Sequence, residues 1–151
     1  MVIFSPSNLS CMRSGFFIIA ILLAVVLVTA GCSMVTGGLS GTSWTLVAYE
    51  GDDGEMVRTD AYVSLHFSED GTVSGTAGCN SYSAEYRGGG DQLVISSPAS
   101  TLMYCPGEGL MEQEGRFLYL LEEVRSYQID GDILMMYGAG GREILVAGKL
   151  R

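Results

Sequence analysis

Gly75-Thr76-Ala77-Gly78-Cys79-Asn80-Ser81-Tyr82, answered by Ala99-Ser100-Thr101-Leu102-Met103-Tyr104-Cys105, is the part of this sequence whose reading decides the fold. Gly75 and Gly78 allow either positive φ or close backbone approach, and Asn80 can enter the left-handed region or hydrogen-bond its own backbone. The first block therefore reads as a tight corner. It joins two short runs, Thr72 to Thr76 and Tyr82 to Tyr86, and in the second Tyr82, Ala84 and Tyr86 fall on one face.

The same alternation continues outward. Ser43 to Tyr49 reads as a first strand with Trp44, Leu46 and Ala48 on one face, and Trp44 is the only tryptophan, placed to anchor a core. Gly51 to Asp60 reads as a polar excursion whose Gly51-Asp52-Asp53-Gly54-Glu55 forms a hairpin loop. Ala61, Val63, Leu65 and Phe67 then face inward, leaving His66, the only histidine, on the solvated face. Asp70-Gly71 marks a turn, Arg87 to Asp91 another, and Gln92 to Ile95 a short strand ending at Ser96-Ser97-Pro98. Tyr127 to Asp132, Ile133 to Tyr137 and Arg142 to Ala147 complete the run, the last two as a closing hairpin.

One segment breaks the period of two. Residues 106–125 predict a helix, with Pro106 at its start, Glu108, Glu112 and Glu114 toward its amino-terminal end, and an apolar stripe of Leu110, Phe117, Leu118, Leu121 and Val124. Successive short strands with one inserted helix predict a mainly β, α+β fold: an antiparallel meander curled into a small barrel.

Residues 1–32 have a different character. Phe16 to Ala30 carry no charge, Arg13 precedes them and Ala30-Gly31-Cys32 follows, which is the order of a secretory signal. Val28-Thr29-Ala30-Gly31-Cys32 is similar to a lipobox with Cys32 as the lipidated residue, although Thr29 stands where that motif usually has Leu. A lipoprotein, an uncleaved anchor and a released protein are the three outcomes left open, in that order of preference. Residues 1–11 lack an n-region charge, so Met12 is a candidate start, which would place Cys11 outside the protein. Residues 33–41 read as a flexible tether and 42–151 as one domain. All 17 acidic residues and seven of the eight basic ones lie from residue 42 onward, a net charge of −10, which disfavours a nucleic-acid partner.

Gly75-x-x-Gly78-Cys79-Asn80-x-Tyr82, then Tyr86, then Ala99-Ser100-Thr101-x-Met103-x-Cys105, resembles the META/HslJ family of small bacterial and archaeal envelope domains. The resemblance covers residues 42 to 148 and implies the same small barrel. It makes Gly75, Gly78, Asn80, Tyr82, Tyr86, Thr101 and Met103 the motif positions, and departs from the family at Ala84, where glycine is usual. It implies a role in envelope stress tolerance or partner binding without an assigned reaction. Cys79 and Cys105 lie in its two blocks, and an exported domain can keep a disulfide, so these two are expected to pair. Two buried free thiols are the other reading. Asn80 is expected to satisfy corner backbone groups, with a ligand contact as its rival.

Enzyme readings fail on inventory. There is no Gly-x-Ser-x-Gly elbow, no nucleotide fingerprint and no metal-ligand spacing, and Cys79 as a nucleophile would have only His66 to serve it. The sequence thus predicts a non-enzymatic, membrane-tethered extracytoplasmic domain without metal or cofactor, binding an unidentified protein or small molecule. The alternative is a ligand-binding or protease-inhibitor-like barrel, favoured if an open apolar cavity remains beside the helix.

Overall fold

Strand β1 (Thr42–Glu50) is the hub of the sheet because both of its edges are used along its length. On one edge Thr42 to Thr45 pair with β3 (Ser64–Phe67), and Ala48 to Glu50 pair with β2 (Met56–Arg58). The other edge pairs with β9 (Glu143–Lys149), in a register that shifts between Leu46 and Ala48. Between them run β4 (Thr72–Thr76), β5 (Ser81–Gly89), β6 (Gln92–Ser100), β7 (Ser126–Asp130) and β8 (Ile133–Tyr137), each antiparallel to its neighbour. The nine-stranded sheet therefore closes into a ring through the β1–β9 pairing. The computed structural model describes residues 38–151. The signal, Cys11, Met12, Cys32 and the tether up to residue 37 lie outside the described residues.

The core follows the predicted alternation. Trp44, Leu46, Val63, Leu65, Phe67, Tyr82, Ala84 and Tyr86 are all buried. Tyr82 stacks edge-on against Phe117 at 5.4 Å, and Tyr86 against Phe67 at 5.1 Å. Both hydroxyls reach backbone carbonyls, Tyr82 donating to Ser64 O at 3.0 Å and Tyr86 to Ser68 O at 2.6 Å. A tyrosine can sit this deep only when its polar end is satisfied.

Four expectations are corrected. The helix, α1, spans Leu110–Glu123 and not 106–125, because Gly109 sits at φ 75°, a left-handed conformation that interrupts any helical turn begun at Pro106. Its buried face is Gln113, Glu114, Phe117, Leu120 and Leu121, so Leu120 joins the stripe. Strand β6 does not stop at Ser96: Ser97 takes φ 56° and the register against β5 shifts, a bulge that carries the strand past Pro98 to Ser100. The supposed excursion after Glu50 contains β2, whose three residues are all exposed and so show no buried alternation. Finally, the fold begins before Thr42: Leu39 is buried, and the turn there is closed by Gly41 N–H donating to Phe67 O at 2.7 Å.

Helix α1 interrupts the sheet between β6 and β7. The direct pairing of those strands shrinks to Gln92 opposite Ser126, and α1 packs along β6 instead. Its side chains also reach the end of β1, the corner between β4 and β5 and the segment before β3, through Arg116, Glu114 and Gln113 respectively. Each apolar side chain it buries, Phe117, Leu120 and Leu121, contributes about 1.5 to 3 kcal/mol. The ring interior is occupied by Trp44, Phe67, Phe117, Leu65, Leu93, Ile95, Leu134, Met136 and Ile144, each almost wholly buried.

Candidate functional site

The β4–β5 corner, Ala77 to Asn80, owes its shape to its glycines, in two different ways. Gly75 has an ordinary extended backbone, but a Cβ there would collide with the Ser64 carbonyl across the sheet. Gly78 is the one that needs positive φ, at 121°. The corner closes when Ala77 N–H donates to Asn80 O at 2.7 Å.

Asn80 then acts in every direction its chemistry allows, with a relative exposure of 1%. Its Nδ2 donates to Met103 O at 2.9 Å and to Glu114 Oε1 at 2.6 Å. Its Oδ1 accepts from Thr101 Oγ1 at 2.7 Å and from Met103 N–H at 2.8 Å. The Glu114 carboxylate, 4% exposed, also accepts the backbone N–H groups of Asn80 at 2.7 Å and Cys79 at 3.1 Å. A disulfide joins Cys79 to Cys105 with Cα atoms 5.9 Å apart. The corner, the segment 101–105 and helix α1 are thereby locked to one another.

What this lock displays is apolar. Segment 101–106 belongs to no helix or strand, and in it Leu102 is 97%, Met103 59% and Tyr104 82% exposed. Met103 spends its backbone N–H and C=O on Asn80, while no hydrogen bond among the described residues engages the backbone of Leu102 or Tyr104. The loop springs from Thr101, whose N–H donates to Ser81 O at 3.0 Å where β5 begins. Thr42, by contrast, lies opposite Phe67, which pairs with Val73 near the start of β4. The display loop and the point where the chain joins β1 are therefore at opposite ends of the β3–β4–β5 ladder.

The structure thus brings Gly75, Gly78, Cys79, Asn80, Thr101, Met103 and Cys105 together around one corner, places Tyr82 in the core beneath it and Tyr86 in the core at the other end of the β4–β5 ladder, against Phe67, and says nothing of Cys32, which lies outside the described residues. Sequence reasoning missed Glu114, taken only as a charge for the helix dipole. A signal was present: Glu114 falls in the stripe Leu110, Glu114, Phe117, Leu121, and a carboxylate on an apolar face requires buried donors.

Other polar groups have structural work. Glu50 is buried and faces Arg142 Nε at 2.5 Å and Arg116 at 3.5 Å, while Arg116 also donates to Glu50 O and Gly51 O, both at 2.8 Å, tying the β1–β2 turn to α1. A surface cleft of about 250 Å³ lies beside this cluster, and another of about 260 Å³ between Tyr49, Asp60 and the start of α1. Burial, with the charges of Asp60 and Asp52, holds the Tyr49 hydroxyl above its ordinary pKa. Gln113 accepts from Asp60 N–H at 3.0 Å. His66 meets Ser43 Oγ at 2.7 Å, and with Cys79 in the disulfide no thiol stands there for a histidine to activate. Among the described residues no group of three or more His, Cys, Asp or Glu gathers to hold a metal, and no helix is long and apolar enough to cross a membrane.

Comparison with known proteins agrees with the geometry. A protein from Burkholderia xenovorans solved by NMR shares 25% identity over 74% of this chain and 83% of its own, with a TM-score of 0.61. A DUF4847-family protein from Bacteroides vulgatus, at 14% identity and TM-score 0.52 over 73% of this chain and 93% of its own, shares the fold. No curated protein matches. The META domain family matches residues 37–149, a span that contains the corner, the disulfide, the helix and every strand, and the chain belongs to that family.

Proposed function

We propose that this META domain is a non-enzymatic, membrane-tethered extracytoplasmic module that recognises a partner protein through the loop Thr101–Cys105. The observation that carries the reading is a mismatch between the loop's surface and its fastening. Three consecutive large apolar side chains stand in solvent on a segment held by a disulfide and three Asn80 hydrogen bonds, with Asn80 itself fixed by a buried carboxylate. Such residues cost solubility when exposed, and rigid fastening lowers the entropy lost when a partner covers them. Large side chains in the ring interior weigh against the small-ligand barrel as the reading.

The tether rests on the signal-like order of residues 13–32 and on Cys32, and a place in envelope stress tolerance follows from the family resemblance. A photo-reactive amino acid at position 102 in living cells tests the recognition role. A discrete cross-linked protein adduct is expected from position 102 and not from Tyr62, an exposed aromatic elsewhere. Fractionation of Cys32→Ser tests the tether, and retention of its mature form in the membrane would remove that part.

A further inference from the structure

Resting on the reading of loop Thr101–Cys105 as a recognition element, we infer that it is a substrate-like insert for the cleft of a serine endopeptidase, with Leu102 entering an apolar specificity pocket. Three features of the loop select this partner over another protein surface. Leu102 is the most exposed of the loop's apolar side chains, as an occupant of a deep pocket must be. The backbone of Leu102 and of Tyr104 is unengaged, while that of Met103 is turned inward to Asn80, so alternate residues offer N–H and C=O groups for strand-like pairing. Endopeptidase clefts bind chain in this extended manner. Asn80 also braces both flanks of Leu102, through the Thr101 hydroxyl on one side and Met103 on the other.

That bracing decides the fate of the loop once a peptidase attacks it. Hydrolysis of the Leu102–Met103 amide adds one water, leaving a carboxylate on Leu102 and an ammonium on Met103. In a free peptide the two ends diffuse apart. Here Thr101 and Met103 remain bonded to one side chain and Cys105 remains cross-linked to Cys79, so the Met103 amine stays beside the Leu102 carbonyl carbon and re-forms the amide, either by displacing the peptidase serine from the acyl-enzyme ester before water arrives or by condensing with the carboxylate and releasing that water again. The loop thus occupies the cleft as a slowly turned-over inhibitor.

Charge weighs against an anionic bilayer as the occupant. Exposed Glu108 and Glu112 follow the loop on a domain of net charge −10, which an anionic lipid surface repels and a basic cleft rim attracts.

The test uses the full chain purified in detergent against a panel of serine endopeptidases, subtilisin and chymotrypsin for apolar specificity and trypsin for basic. Competitive inhibition of the apolar-specific enzymes is expected, with trypsin spared. Leu102→Asp, which alters a solvated side chain, should weaken inhibition by about thirtyfold or more while Tyr62→Asp leaves it unchanged. Prompt cleavage at Leu102–Met103 without inhibition overturns the inference, as does absence of inhibition across the panel. Binding of the full chain to phosphatidylglycerol vesicles that is lost in Leu102→Asp also overturns it, assigning the loop to lipid. If the panel fails but the cross-link at position 102 persists, partner recognition stands without a peptidase; if the cross-link fails as well, both readings fall.

Discussion

The Asn80 amide nitrogen and the Glu114 carboxylate meet at 2.6 Å in the interior, 34 residues apart in sequence, and the same carboxylate takes the backbone N–H of Asn80. A side chain from the helix thereby completes a turn of the sheet. Glu114→Ala should leave buried N–H donors at residues 79 and 80 without an acceptor, costing about 2 to 4 kcal/mol. Urea denaturation reads this as a lower midpoint at unchanged slope, and a double-mutant cycle with Asn80→Ala should return a coupling of at least about 1 kcal/mol. Additive losses would mean that the two residues act separately.

Reducing the Cys79–Cys105 bond should cost roughly 3 to 4 kcal/mol, since it closes a loop of 26 residues. Alkylation of the unreduced, denatured protein should label neither cysteine. Labelling of both in material taken from cells would falsify the bond in the native setting.

Gly75→Ala and Gly78→Ala should fail for different reasons. At Gly75 the new methyl meets the Ser64 carbonyl, so β3 and β4 must separate, at a cost of about 2 to 4 kcal/mol. At Gly78 the penalty is conformational and smaller, about 1 to 2 kcal/mol. Thermal melts showing Gly78 as the more sensitive position would reverse this assignment.

Burial holds the Tyr82 hydroxyl far above its ordinary value of 10.0. Folding stability from this group is therefore complete below about pH 10. Above it the unfolded chain loses a proton that the folded chain keeps, and stability falls by about 1.4 kcal/mol per pH unit for each such tyrosine. Tyr127 shifts in the same direction, chiefly by burial. Denaturation measured from pH 8 to 11 should be flat and then decline, with a shallower decline in Tyr82→Phe. That variant starts about 1 kcal/mol lower at neutral pH, having lost its bond to Ser64 O. A steady decline beginning below pH 9 would point to other groups.

Much of this was legible because burial alternates with the chain. Trp44 and Leu46, then Tyr82, Ala84 and Tyr86, announce their strands by facing one core, and the two cysteines outside the signal segment have only each other. The missing parts have no such local cause. Strand β2 is held by backbone pairing with β1 while its side chains stay in solvent, so nothing in Met56-Val57-Arg58 reports it. The bulge at Ser97 is imposed by the neighbouring strand. Glu114 was misread because charge near a helix start has a familiar local use, whereas its donors come from a corner far away in sequence. The apolar trio at 102–104 was visible as letters, but its exposure depends on Asn80 turning Met103's backbone inward.

The pairing of β1 with β9 also governs how the domain comes into being. A chain made amino end first delivers β1 first of the nine strands and Glu143–Lys149 last of them. Until those arrive, one edge of β1 has no partner, and an open edge is a template for pairing with other chains. A chain stalled before Glu143 is accordingly an unclosed sheet rather than a smaller domain. Its vulnerable interval lasts from the delivery of β1 to that of β9.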